Sequence, residues 1–205
     1  MEKPAINQYP IHELLRNRWS PRAFSSRPVE IEGLLSLFEA ARWSPSSSNM
    51  QPWAFIVTTQ ADGERHQAFV DLLTGRNAEW AGRAPVLVLA VVKREREPGK
   101  ANYWALYDLG QAVGHLTVQA TAQGLSMRQM GGFDREKARV VFDVPEGYDP
   151  VTAIAVGYRG EADELPEDLR AGELGIRSRK SLDEIVFGRR WNEPVRIEPE
   201  ALNLS

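Results

Sequence analysis

Apolar positions recur at helical spacing from Ile11, where Ile11, Leu14 and Leu15 share a face, and the pattern stops in the polar run Arg16 to Arg22, which holds Pro21. A short helix therefore delivers a basic loop. Ile31, Leu34, Leu35, Phe38 and Ala41 mark a stronger helix, ended by Pro45 and the serines after it. Trp53 to Thr58 reads as a buried strand, a helix carrying Phe69, Val70 and Leu73 follows, and Val86 to Val92 has the β-branched density of a central strand. The longest helix is predicted over about Asn102 to Gln123, with Leu106, Leu109, Val113, Leu116 and Val118 interleaved with small Gly110, Ala112 and Gly114. Next come the apolar run Leu125 to Met130, the pair Gly131-Gly132, a helix that Asp134 is placed to cap, and a second central strand over Val151 to Tyr158. The remaining tail is charged. Helices and strands mix without strict βαβ alternation, so the predicted class is α+β, a sheet covered by helices.

A chain of 205 residues fits one domain. Its 42% hydrophobic and 26% charged residues match a soluble globular protein. A net charge of −3 supplies no field for a polyanion, which excludes nucleic acid as a partner. With no cysteine, thiolate chemistry and disulfides are excluded, and any redox work must come from a cofactor. His12, His66 and His115 lie far apart without ligand spacing, so no metal site is expected. No run of about 18 apolar residues suggests a membrane span, and the N-terminus lacks the pattern of a secretory leader, so a cytoplasmic address is expected.

Three segments hold candidate chemistry. Arg18-Trp19-Ser20-Pro21-Arg22 puts two guanidinium groups and a hydroxyl at a helix end, a set that matches a phosphate and equally a solvated charged turn. The loop Ser44 to Pro52 concentrates hydroxyls and amides between two strong elements. Asn49 and Gln51 offer the paired donors and acceptors that a heterocycle needs, although an Asx or Ser turn would use the same residues. Gly131-Gly132 permits close main-chain approach to a planar ligand, or simply a turn. Arg177-Ser178-Arg179-Lys180 forms a second basic knot. No GxGxxG or P-loop pattern supports a Rossmann site.

The order and spacing of Arg18 to Phe24, of Ala41 to Trp53, and of Gly131-Gly132-Phe133-Asp134 before a strand ending in Gly157-Tyr158 resemble the nitroreductase family of flavoproteins, from about Ile11 to Trp191. The resemblance implies a nitroreductase-like α+β fold: a mixed, mainly antiparallel sheet covered by helices in an intertwined homodimer with FMN at the interface. One domain would span residues 1–205, with a C-terminal arm over about 191–205 that includes Pro194, Val195, Ile197 and Pro199.

By the same resemblance Arg18, Ser20 and Arg22 hold the FMN phosphate and ribityl chain through side chains, and Trp19 does so through its main chain. Pro45, Ser46, Ser47 and Asn49, supported by Gln51, lie against the ring from the partner subunit. Met130, Gly131 and Gly132 bring main-chain N–H groups to flavin N5, Asn77 contacts the ribityl chain or ring, and Arg177 with Arg179 completes the phosphate site.

The implied activity passes electrons from NADPH or NADH through flavin N5 to a nitroaromatic, quinone, enal or flavin, with ping-pong kinetics and no catalytic side chain. The alternatives are an FMN-binding protein without nicotinamide turnover, a specialised flavoenzyme such as a reductive dehalogenase, or an interaction domain without a cofactor. Segments 62–80 and 95–103 are the candidate lids.

Overall fold

The computed structural model describes residues 2–195, which divide at Gly175 into two compact units. The predicted arm is described only as far as Val195; Ile197 and Pro199 lie outside the described residues. In the second unit Phe187 and Pro194 form a β-bridge, and the Phe187 and Trp191 rings meet at 4.9 Å, so the chain turns back on itself at 188–193.

The first unit is a four-stranded sheet between two helical layers. Strands β1 (Trp53–Thr59), β2 (Val86–Lys93), β5 (Ser126–Met130) and β6 (Tyr148–Gly157) stand in the order β1-β2-β6-β5, and every described pairing is antiparallel. A small hairpin joins β3 (Glu95–Glu97) to β4 (Lys100–Ala101) through Pro98 and Gly99, the latter at φ +75°. The helices are α1 (Glu13–Asn17), α2 (Ile31–Arg42), α3 (Glu64–Val70), α4 (Ala105–Ala122), α5 (Arg135–Val141) and α6 (Glu167–Leu174).

The apolar run of β2 serves both layers. Val86, Val88, Ala90 and Val92 face the core built with α2 and α4, while Leu87, Leu89 and Val91 face the core shared by Phe69, Ala138 and Leu169 of α3, α5 and α6. A strand covered on both sides must be apolar at every position, which is why this segment reads as a run. The β2–β6 register shifts between Ala90 and Val91, where Val91 faces Pro150; the irregularity accommodates a residue that has no N–H for the ladder.

Two expectations change. Trp53 to Thr58 is a strand, but at the sheet edge it is only half-buried, with Thr58 alone fully enclosed. On α2 the enclosed residues are Leu34, Leu37 and Ala41, whereas Ile31 and Leu35 are 65% and 59% exposed. Asp134 caps α5 as expected, its side chain accepting from the Lys137 N–H. No helix among the described residues is long and apolar enough to cross a membrane.

Candidate functional site

The basic loop leaves α1 at Arg18 and runs alongside β6, where Phe24 bridges Arg159 and the Gly160 N–H donates to the Ala23 carbonyl. Arg18 Nη1 donates to Ser20 Oγ at 3.1 Å, and Arg128 Nη1 donates to the Ser20 carbonyl at 2.5 Å. From α6, the buried Glu173 carboxylate accepts the N–H of Arg22 at 2.9 and 3.0 Å and that of Ala23 at 3.1 Å. Burial, with Arg22 close by, pushes the Arg128 guanidinium below its usual pKa, and Glu173 opposes the shift. Lys3 lies over the Trp19 ring at 4.7 Å and donates to the Glu173 carbonyl. The expected side chains Arg18, Ser20 and Arg22 therefore sit on one tethered loop, close to Arg128.

Strand β5 links this loop to the glycine pair. Ser126 pairs with Gly157 beside the basic loop, and four residues later Met130 leads into Gly131. A Cβ added at Gly131 would meet nothing within 4 Å. One added at Gly132 would lie 2.8 Å from Asn77 Nδ2. Asn77 Nδ2 donates to the Gly132 carbonyl at 3.2 Å, and the Thr74 N–H donates to the same oxygen at 3.1 Å. Asn77 and the pair are thus brought together. The Met130 side chain packs in the core, leaving only its main chain for a ligand.

The loop before β1 is held in sparsely populated conformations. Ser48, Asn49 and Gln51 have φ of 53°, 53° and 47°, where non-glycine residues are uncommon. Ser46 Oγ accepts the Gln51 N–H at 3.0 Å, Gln51 Nε2 donates to the Asn49 carbonyl at 3.1 Å, and the Ser47 N–H donates at 3.1 Å to Oδ2 of Asp108, buried on α4. Pro45, Asn49 and Gln51 are exposed.

This loop and the glycine pair lie at the same end of the sheet but at opposite edges, because β1 and β5 are its outer strands. Three strand spacings set β1 and β5 about 14 Å apart.

Arg177 and Arg179 belong to the second unit. There, burial and the neighbouring Arg179 lower the Arg177 pKa, while Arg179 Nη1 donates to the Ser178 carbonyl at 2.7 Å. The candidate lid at 95–103 contains the hairpin and ends at Tyr103, 91% exposed, with Trp104 and Tyr107 edge to face at 6.4 Å beyond it. The other, 62–80, contains α3 and the turn that presents Asn77. Along α4 runs an open, mostly apolar groove of about 540 Å³, lined by Leu106, Gly110, Val113, Gly114 and Val151 and also by Arg18 of the basic loop and Gln129 of β5.

Three residues of this arrangement escape sequence reasoning. Glu173 is one acid in a charged tail, Arg128 one base in an apolar run, and Asp108 one acid on an amphipathic helix. Only the lone charges at Arg128 and Asp108, each set among apolar neighbours, offered a signal.

The family model described as "Nitroreductase family" matches residues 15–158. A crystal structure described as an oxidoreductase containing FMN is 33% identical, with a TM-score of 0.85, covering 91% of this chain and 96% of its own. An uncharacterized 15.4 kDa protein in the ask 5′ region of Mycolicibacterium smegmatis is 31% identical over 123 residues, 60% of this chain and 82% of its own length. A putative NADH dehydrogenase/NAD(P)H nitroreductase of Ralstonia nicotianae is 23% identical over 175 residues, 76% of this chain and 88% of its own.

Proposed function

The chain belongs to the nitroreductase family, and on that premise we propose that it is an FMN-dependent oxidoreductase moving electrons from NADPH or NADH to a small oxidised acceptor such as a nitroaromatic, quinone, enal or flavin. The observation that carries this reading is the arrangement at the two ends of β5. One end holds guanidinium groups and a hydroxyl on a tethered loop; the other holds an open backbone at Gly131 beside a fixed amide at Asn77.

The residues fit FMN. Arg18, Ser20 and Arg22 match a phosphate, with Trp19 contributing its main chain. Gly131 has no Cβ neighbour to exclude a planar ring, and Asn77 is held beside it by the Gly132 carbonyl. The FMN-containing oxidoreductase above shares a third of its residues over almost the whole fold.

When bound, FMN supplies the hydride acceptor at N5 and the outgoing electrons. The chain supplies position and field. Main-chain N–H groups after Met130 would hold the ring edge and favour negative charge there, with no side-chain acid or base required. Pro45, Ser46, Ser47, Asn49 and Gln51 cover the ring of the partner subunit's site, a division supported by the opposite-edge placement of the loop and the glycine pair. Donor and acceptor use one stacking site in turn, which gives ping-pong kinetics.

The test is an absorption spectrum of the protein incubated with FMN and desalted, followed by anaerobic addition of NADPH and then NADH. Retained yellow colour bleached by either donor is expected. Colour that neither donor bleaches overturns the nicotinamide activity, and a colourless protein overturns the flavin site.

A further inference from the structure

We propose that Arg128, on edge strand β5, is a phosphate-recognition residue that joins Arg18 and Arg22 on the flavin phosphate and makes the site prefer FMN over phosphate-free flavin. The inference rests on the FMN reading above and adds to it a residue outside the basic loop.

Three observations converge on Arg128. Its guanidinium is held in advance: it lies over the Trp80 ring at 5.5 Å, and Trp80 is itself stacked on Phe24 with centroids 6.2 Å apart. One of its five N–H donors is committed to the Ser20 carbonyl, which fixes the head against the loop whose Ser20 hydroxyl accepts from Arg18.

Positive charge is also concentrated here. Arg18, Arg22 and Arg128 belong to one neighbourhood around Ser20, and the carboxylate beside Arg128, Glu173, already accepts the Arg22 and Ala23 N–H groups. A phosphomonoester dianion has the charge and the acceptor oxygens to meet such a group. A guanidinium serving only to tie down Ser20 would do so at the cost of repulsion from Arg22; a neutral donor would serve without it.

Finally, the strand sets the distance. Arg128 precedes Gly131 by three residues, about 10 Å along a strand, the reach of a five-carbon chain ending in a phosphate. A ring at Gly131 therefore places its phosphate beside Arg128.

The experiment titrates the full-length apoprotein with FMN and with riboflavin, following flavin fluorescence, in the wild type and in Arg128→Gln. Glutamine removes the charge and keeps a polar N–H donor on a shorter side chain. The expected result is FMN affinity reduced roughly tenfold to a hundredfold, the scale of a lost charged hydrogen bond, with riboflavin affinity unchanged within about twofold.

An unchanged FMN-to-riboflavin preference, an equal fall for both flavins included, overturns the assignment. A wild type that binds FMN no more tightly than riboflavin overturns the phosphate site as a whole, a failure distinct from that of Arg128 alone. Phenylglyoxal labelling of the wild type, read by mass spectrometry, separates direct contact from an effect through the Ser20 loop and also serves if Arg128→Gln does not fold: FMN shields Arg128 and riboflavin does not, whereas equal labelling with the two flavins overturns the inference.

Discussion

Gly131 and Gly132 are adjacent, yet they have different physical reasons for being glycine. Around Gly131 there is room for a Cβ, so Gly131→Ala is expected to leave stability unchanged within about 0.5 kcal/mol while weakening FMN binding by at least about tenfold, because the methyl group occupies the face offered to the ring. At Gly132 a Cβ would collide with the Asn77 amide, so Gly132→Ala is expected to break the Asn77–Gly132 hydrogen bond and cost about 1–3 kcal/mol of stability. Paired urea denaturation and FMN titration separate the two effects; equal losses of stability in both variants would contradict the distinction. His66 makes a second prediction at this scale. Its ring is buried with Nδ1 3.3 Å from Thr58 Oγ1, and burial pushes its pKa below 6.5, although Asp62 pulls the other way. A depressed folded pKa means that the unfolded chain takes up the proton first. The contribution is therefore fully present above pH 6.5 and is lost as pH falls from 6.5 through the lower folded value, by about 1.4 kcal/mol for each tenfold difference in proton affinity. His66→Gln, which has no titrating ring, is expected to flatten the melting temperature between pH 7 and 5; a slope identical to that of the wild type rules out His66 as its source.

At the scale of elements, close packing at strand ends constrains the sheet. β6 ends at Gly157, where a Cβ would lie 2.6 and 2.8 Å from Cδ and Cγ of the Pro85 ring and 3.2 Å from Phe24. Neither ring can swing aside cheaply, since Pro85 leads into β2 and Phe24 is buried against Trp80. Gly157→Ala is expected to destabilise the fold by about 1–3 kcal/mol, seen as a lower denaturant midpoint with an unchanged slope; a wild-type midpoint would mean that the contact relaxes without cost. The elements legible in the sequence include α2 and α4 through their periodicity, β2 and the later half of β6 through apolar runs, and α1, β1, α3 and α5 through shorter signals. α6 was not legible because its buried positions are Leu169 and Glu173, and a buried acid breaks the apolar stripe that marks a helix. The β3–β4 hairpin, Glu95 to Ala101, is charged on both strands and carries no alternation. The exposed Ile31 and Leu35 show the opposite limit: periodicity marks an apolar face without saying what covers it. In the site, the short motifs were legible because each is local. Arg128, Glu173 and Asp108 were not, because they reach those motifs from 108, 151 and 61 residues away in sequence.

For the whole molecule, the open question is what covers the apolar surface of the first unit. Leu106 is half-exposed beside the groove along α4, and a Cβ at Gly110 or Gly114 would meet nothing within 4 Å. A helix face of this kind, with glycines that allow close backbone approach, suits packing against a second copy. The placement of the loop before β1 points the same way. The loop Ser46 to Gln51 leads into β1 and the glycine pair follows β5, strands about 14 Å apart at opposite sheet edges, a placement that fits a flavin site completed by a second chain. Dimerisation and cofactor binding should then fail together. Tyr107→Glu places a charge on the same exposed helix face, at a residue 66% exposed in the single chain that does not line the groove shared by Gly114 and Arg18. In an interface the same carboxylate would be buried without a partner. The expected outcome is a folded monomer by sedimentation, with wild-type circular dichroism and FMN affinity lowered at least about tenfold. A variant that remains dimeric would place the interface elsewhere. A monomer with undiminished FMN affinity would show that one chain holds the whole site, and the assignment of Pro45, Ser46, Ser47, Asn49 and Gln51 to the partner's flavin would fall with that result.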